Sequence, residues 1–125
     1  MVLSDCGFTP HQVASIAKAL EDNLKLETLN LSYNRIDLKQ EAVVAEFLSS
    51  MSTFLLHNRS LVHVNFSGMQ LGSKLIPIAE SISRSPSITS VHLSDNGSTS
   101  FEIDHIFEIF RLRSSMAVGK MSMLE

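Results

Sequence analysis

After Leu26-Glu27, polar and apolar residues alternate through Thr28-Leu29-Asn30-Leu31, and the alternation breaks at Ser32-Tyr33-Asn34-Arg35-Ile36. Written as L-x-x-L-x-L-x-x-N-x-I, the stretch predicts a short strand with one face on a core, ending in an asparagine turn. The same phase returns in Leu61-Val62-His63-Val64-Asn65-Phe66-Ser67-Gly68-Met69-Gln70-Leu71 and in Ile88-Thr89-Ser90-Val91-His92-Leu93-Ser94-Asp95-Asn96. A partial copy, Val2-Leu3-Ser4-Asp5-Cys6-Gly7-Phe8, opens the chain. Leu3, Leu31, Phe66 and Leu93 hold equivalent places, 28, 35 and 27 residues apart. A recurring spacing of this size is the mark of a repeat array.

Between the copies the apolar period lengthens to that of a helix. Thr9-Pro10-His11-Gln12 supplies a capping residue, a proline suited to the first helical position and a capping-box partner. Val13, Ile16, Ala17, Leu20 and Leu24 then form one stripe, predicting a helix near 10–23 with Lys18, Glu21 and Asp22 facing water. A longer helix is expected over 38–57, starting at Asp37 and Gln40 and burying Val44, Phe47, Leu48, Met51 and Leu55. This unit carries the extra residues. They either extend a helix that still packs or lift Phe54 and Leu56 out of the core. A third helix is expected near 74–84 on Leu75, Ile78, Ala79 and Ile82, with Pro77 forcing its regular part to start at Leu75 or Ile76. The last is expected over 100–113, capped by Thr99 with Glu102 or by Ser100, with Ile103, Ile106, Phe107 and Phe110 as its stripe. Phe101, Ile109 and Leu112 would widen that stripe. Residues 114–125 show no period, and are expected to be frayed or to belong to packing outside this chain.

A strand, an asparagine or cysteine turn and a helix at this period resemble the leucine-rich repeat family, in its ribonuclease-inhibitor-like branch. Leu26, Leu29, Leu31, Asn34 and Ile36 carry the resemblance, followed by Leu61, Val64, Phe66 and Leu71, then Ile88, Val91, Leu93 and Asn96, with Leu3, Cys6 and Phe8 in the partial copy. It implies an α/β solenoid over residues 1–113, about three and a half repeats, with parallel strands on the concave face and helices on the convex one. Full copies start near 26, 61 and 88. In the family the strand-end Asn or Cys ties adjacent turns together, which implies a ladder of Cys6, Asn34, Met69 and Asn96. Met69 has no side-chain group for that role, so its turn is expected to be looser or held by backbone and water. The resemblance also implies a fragment. With no polar cap ahead of Val2, either residues precede it in a longer protein or two copies associate through this end.

Charge narrows the field of functions. Ten basic and 13 acidic residues give a net charge of -3, no basic field for nucleic acid. No apolar run is long enough to span a bilayer, and a single cysteine fits a reducing, cytoplasmic setting. Alternation along the strands assigns the residues between the leucines to an open, polar face. Strand stacking predicts columns of Thr28, His63 and Ser90; Asn30, Asn65 and His92; Ser4, Ser32, Ser67 and Ser94; and Asp5, Tyr33, Gly68 and Asp95. This strip has two readings: a hydrogen-bonding surface for a protein, or small polar residues that suit a crowded solvated sheet. His63 and His92 on adjacent strands lack a third metal ligand, and no nucleophile–base arrangement or phosphate loop occurs, so no catalytic group, metal or cofactor is expected. Cys6 is expected as a ladder residue and not as a nucleophile.

The expected function is a non-enzymatic protein-interaction module of a larger repeat protein, using the concave strip centred on Tyr33, His63, Asn65 and His92. Two alternatives stand beside it. One is a structural segment of a cytoskeletal or ciliary assembly, working through its ends and helices. The other is a regulator of a GTPase or of actin, which only the resemblance allows.

Overall fold

The computed structural model describes residues 1–112 as alternating short strands and helices. In order they are α1 (Pro10–Leu20), β1 (Thr28–Asn30), α2 (Glu41–His57), β2 (His63–Asn65), α3 (Leu75–Ser83), β3 (Ser90–His92) and α4 (Ser100–Leu112). The strands form one parallel sheet in sequential order, with a helix between each pair. Thr28 pairs with His63 and His63 with Ser90, while Asn30 pairs with Asn65 and Asn65 with His92. Val2 makes an isolated parallel bridge to Asn30, so the first segment runs beside β1 as a further row. This mixed α/β arrangement with a small parallel sheet fits a leucine-rich-repeat-like fold.

Each unit covers its neighbour. α1 packs on α2, α2 on α3 and α3 on α4. One core runs through all of them, from Val13 and Ala17 through Leu29, Phe47, Phe54, Val64, Phe66, Ile78 and Val91 to Ile106 and Phe110. No single strand and helix of this size buries its apolar side alone, which is why the stack is the folding unit.

The capping signals act as the residue types require. Thr9 accepts from Gln12 N–H at 3.2 Å and its own N–H donates to the Gln12 side chain at 2.9 Å. Thr99 and Glu102 repeat this reciprocal pair at 3.1 and 2.8 Å. Gln40 makes no side-chain cap for α2, which starts later than residue 38 because Asp37 is engaged with Lys39 N–H in a turn at 3.1 Å. Pro77 lies in the first turn of α3, after a 3-10 turn over Gly72–Lys74 that makes the approach.

Two expectations about packing, on α1 and on α4, are corrected, and the alternative left open for α2 is decided. α1 ends at Leu20, and Leu24 is 77% exposed because Asn23 accepts from Lys25 and Leu26 N–H and turns the chain out of the helix. Phe54 is fully buried, so α2, at 17 residues, is an over-long helix that still packs, with only Leu56 partly outside. Phe101 is 82% exposed and Leu112 is 68% exposed, so neither widens the buried stripe of α4. The reading of 114–125, and residue 113 of the last helix, lie outside the described residues.

Candidate protein-binding face and its turn ladders

The sheet's outer face is built by period-two alternation. Leu29, Val64 and Val91 point into the core, and the residues on either side of them are exposed or half-buried. Thr28, His63 and Ser90 therefore make one row and Asn30, Asn65 and His92 the next, as the pairing register sets them. The Asn30 carboxamide oxygen accepts from Ser32 N–H at 2.9 Å and from the Ser32 hydroxyl at 2.6 Å, and Asn65 accepts from Ser67 N–H at 2.9 Å. Both asparagines thus spend their oxygens on closing the strand ends. Ser32 and Ser67 are buried, and Ser94 donates to Ser67 at 3.1 Å. In this third row Ser32 and Ser67 are turned inward, while Ser4 and Ser94 stay half-buried.

His63 and His92 are brought together. Their ring centres lie 4.9 Å apart in an edge-to-face arrangement, and His63 Nδ1 is 2.8 Å from the Ser90 hydroxyl. Partial burial, and after it the neighbouring His92, push the pKa of His63 below its ordinary 6.5. Among the described residues no cluster of three potential metal ligands includes them.

The fourth row turns the chain, and its backbone is left-handed throughout: φ is 51° at Asp5, 60° at Tyr33, 68° at Gly68 and 59° at Asp95. Only the third of these is glycine, and it has a second reason to be. A Cβ at Gly68 would stand 2.4 Å from Tyr33 Cδ1 and 2.5 Å from Cε1, so the tyrosine ring lies directly on this glycine. Tyr33 remains 51% exposed. It borders two depressions, one lined by Ser4, Asp5, Gly7 and Ser32, the other by Gly68, Gln70, Asp95 and Gly97, and Arg35 lines both. Alternation alone does not reach Arg35 and Gln70, because they follow the strand's end.

Behind this face two sets of polar side chains hold the turns. Asn34 accepts from Cys6 N–H at 3.0 Å and Phe8 N–H at 3.3 Å, and donates to the carbonyls of Leu3 and Leu31 at 2.9 Å each. Asn96 does the same for the third unit, accepting from Met69 and Leu71 N–H at 3.1 and 3.3 Å and donating to Phe66, Leu93 and Ser94. At the second unit the Met69 carbonyl takes the missing oxygen's place, receiving Ile36 N–H at 3.1 Å. The Met69 side chain is fully buried. Cys6 is exposed and, among the described residues, its thiol reaches only the Ser4 carbonyl, at 3.4 Å. It receives a rung from Asn34 through its backbone and its side chain supplies none to a neighbouring unit.

A second ladder, at the helix-to-strand turns, was missed by sequence reasoning. Asn58 accepts from Ser60 and Leu61 N–H and donates to the carbonyls of Leu20 and Asn23 at 2.9 Å each. Ser60 donates to Leu26 O at 2.7 Å, and Ser87 to Leu61 O at 2.6 Å. Its signal was present: Asn23, Asn58 and Ser85 each stand three residues before the first apolar residue of a strand motif.

Among the described residues no helix is long and apolar enough to cross a membrane. A comparison with curated proteins finds no match. Residues 22–39, the stretch from the end of α1 through β1 and the Asn34 turn, match the family model for a Leucine Rich repeat. That match supports a leucine-rich repeat family for this chain, a type of repeat that points to a protein-interaction module.

Proposed function

We propose that the chain is a non-enzymatic segment of a ribonuclease-inhibitor-like leucine-rich repeat solenoid that holds a protein partner on its strand face. The observation that carries this is the outer face itself: Thr28, His63, Asn65, Ser90 and His92 in two aligned rows, ending on the half-exposed Tyr33. One rigid aromatic beside small polar groups is the composition of a protein-binding surface, where tyrosine adds contact area at little entropic cost. A cytoplasmic location is part of this reading. The test is affinity capture with the wild-type chain and with a variant carrying alanine at Thr28, His63, Asn65, Ser90 and His92. Circular dichroism verifies the variant's fold. Loss of a reproducible partner supports the assignment, and equal recovery by both chains overturns it.

One observation favours the structural alternative. Phe101, on the last described helix and not on a strand, is an exposed large apolar side chain. If the chain is an architectural segment, Phe101→Ser abolishes assembly while the strand-face variant retains it.

A further inference from the structure

We propose that Tyr33 is a platform for a cationic side chain, arginine or lysine, presented by the protein partner. This rests on the strand-face reading above and gives it a chemistry.

The first support is the way the ring is held. Tyr33 occupies a left-handed conformation that is unfavourable for a residue with a Cβ. One ring face lies on Gly68, where any side chain would collide with it. The ring is therefore seated on one side, with half of the residue's surface open to solvent. The left-handed turn is common to the whole row, and at Tyr33 it presents an exposed aromatic.

The second support is charge. Asp5 and Asp95 lie in the same row as Tyr33, and each lines one of the two depressions that flank it. Neither carboxylate is in an ion pair among the described residues, where the pairs are His11–Glu46, His57–Asp22 and Arg111–Glu108. Arg35 lines both depressions and pairs with neither. A cation over the ring would meet the negative face of the π system, with carboxylates to either side. An anion would meet the same ring face and both carboxylates unfavourably, against the single favourable charge of Arg35. The anion-binding potential of the turn backbone is also spent, since Asp5, Tyr33 and Gly68 N–H donate to the carbonyls of Ser32, Ser67 and Ser94.

The experiment is an NMR titration of the full chain, following backbone amides and the tyrosine ring. The probes are three blocked glycine-serine peptides bearing two arginines, two citrullines or two glutamates. The arginine peptide is expected to give saturable shifts at Tyr33, Gly68, Asp5 and Asp95, and the citrulline peptide to bind about two- to fivefold more weakly. Tyr33→Gly keeps the backbone conformation accessible and should remove the saturable shifts. Asp5→Asn and Asp95→Asn should each weaken binding, and Arg35→Gln should strengthen it by removing a like charge. Equal response to the glutamate peptide, weaker arginine binding in Arg35→Gln, or retained shifts in Tyr33→Gly each overturns the proposal. Capture of a natural partner separates the two readings. Loss in the strand-row variant with full retention in Tyr33→Gly leaves the face assignment standing and overturns the platform.

Discussion

Tyr33 and Gly68 belong to neighbouring units, and their contact makes the two positions interdependent. Gly68→Ala is expected to cost about 1–2 kcal/mol for its left-handed backbone, plus a similar amount for displacing the ring 2.4 Å away. In a Tyr33→Ala background only the backbone part remains, so urea melts of the double-mutant cycle should be non-additive by about 1 kcal/mol or more. The two ladder asparagines differ by setting. Asn96 serves buried groups, and Asn96→Ala is expected to lose about 3 kcal/mol. Asn34→Ala should lose about 1–2 kcal/mol, because water can reach the exposed Cys6 turn that it serves. His63 sets a pH dependence. Its folded pKa lies below 6.5, so the folded chain binds fewer protons than the unfolded one in the window between the two values. His63's contribution to stability is then complete above about pH 6.5 and declines as pH falls through that window. A histidine Cε1–H titration should find the lowered midpoint, and His92→Gln should raise it only partly, burial being the larger cause.

At the scale of elements, the phenylalanines divide sharply. Phe47→Ala and Phe54→Ala are expected to cost about 3–5 kcal/mol each, as fully buried side chains. Phe101→Ser should change stability by less than about 0.5 kcal/mol, since its ring stands in solvent. Thermal melts of the three variants check the ranking. Helix existence and capping were legible in the sequence because the signals are local: Thr9 with Gln12, Thr99 with Glu102 and the placement of Pro77 concern residues within one turn. Helix ends were less so. Leu24 keeps the phase of α1, yet Asn23 captures two following amides and ends it early. Phe101 likewise keeps an apolar identity at a place where no neighbour among the described residues covers it, and periodicity carries no information about what stands opposite.

At the scale of the molecule, strand register was legible because parallel stacking of equal motifs leaves one alignment, and the rows Thr28–His63–Ser90 and Asn30–Asn65–His92 follow from it. The availability of those residues was not. Asn30, Asn65, Ser32 and Ser67 turn to each other, and such choices depend on rotamers that the alternation pattern does not encode. The buried Met69 has a consequence for the whole stack. Asn34 brackets the first unit to the second and Asn96 the third to the fourth, while the joint between has a main-chain rung alone at this level. At the turn edge the units are thus bolted in pairs, and the Tyr33 ring is the side chain that crosses the unbolted joint to reach Gly68. Whatever settles on that ring would act as a splint across the joint, turning a docking event into a change in how stiffly the two pairs are held.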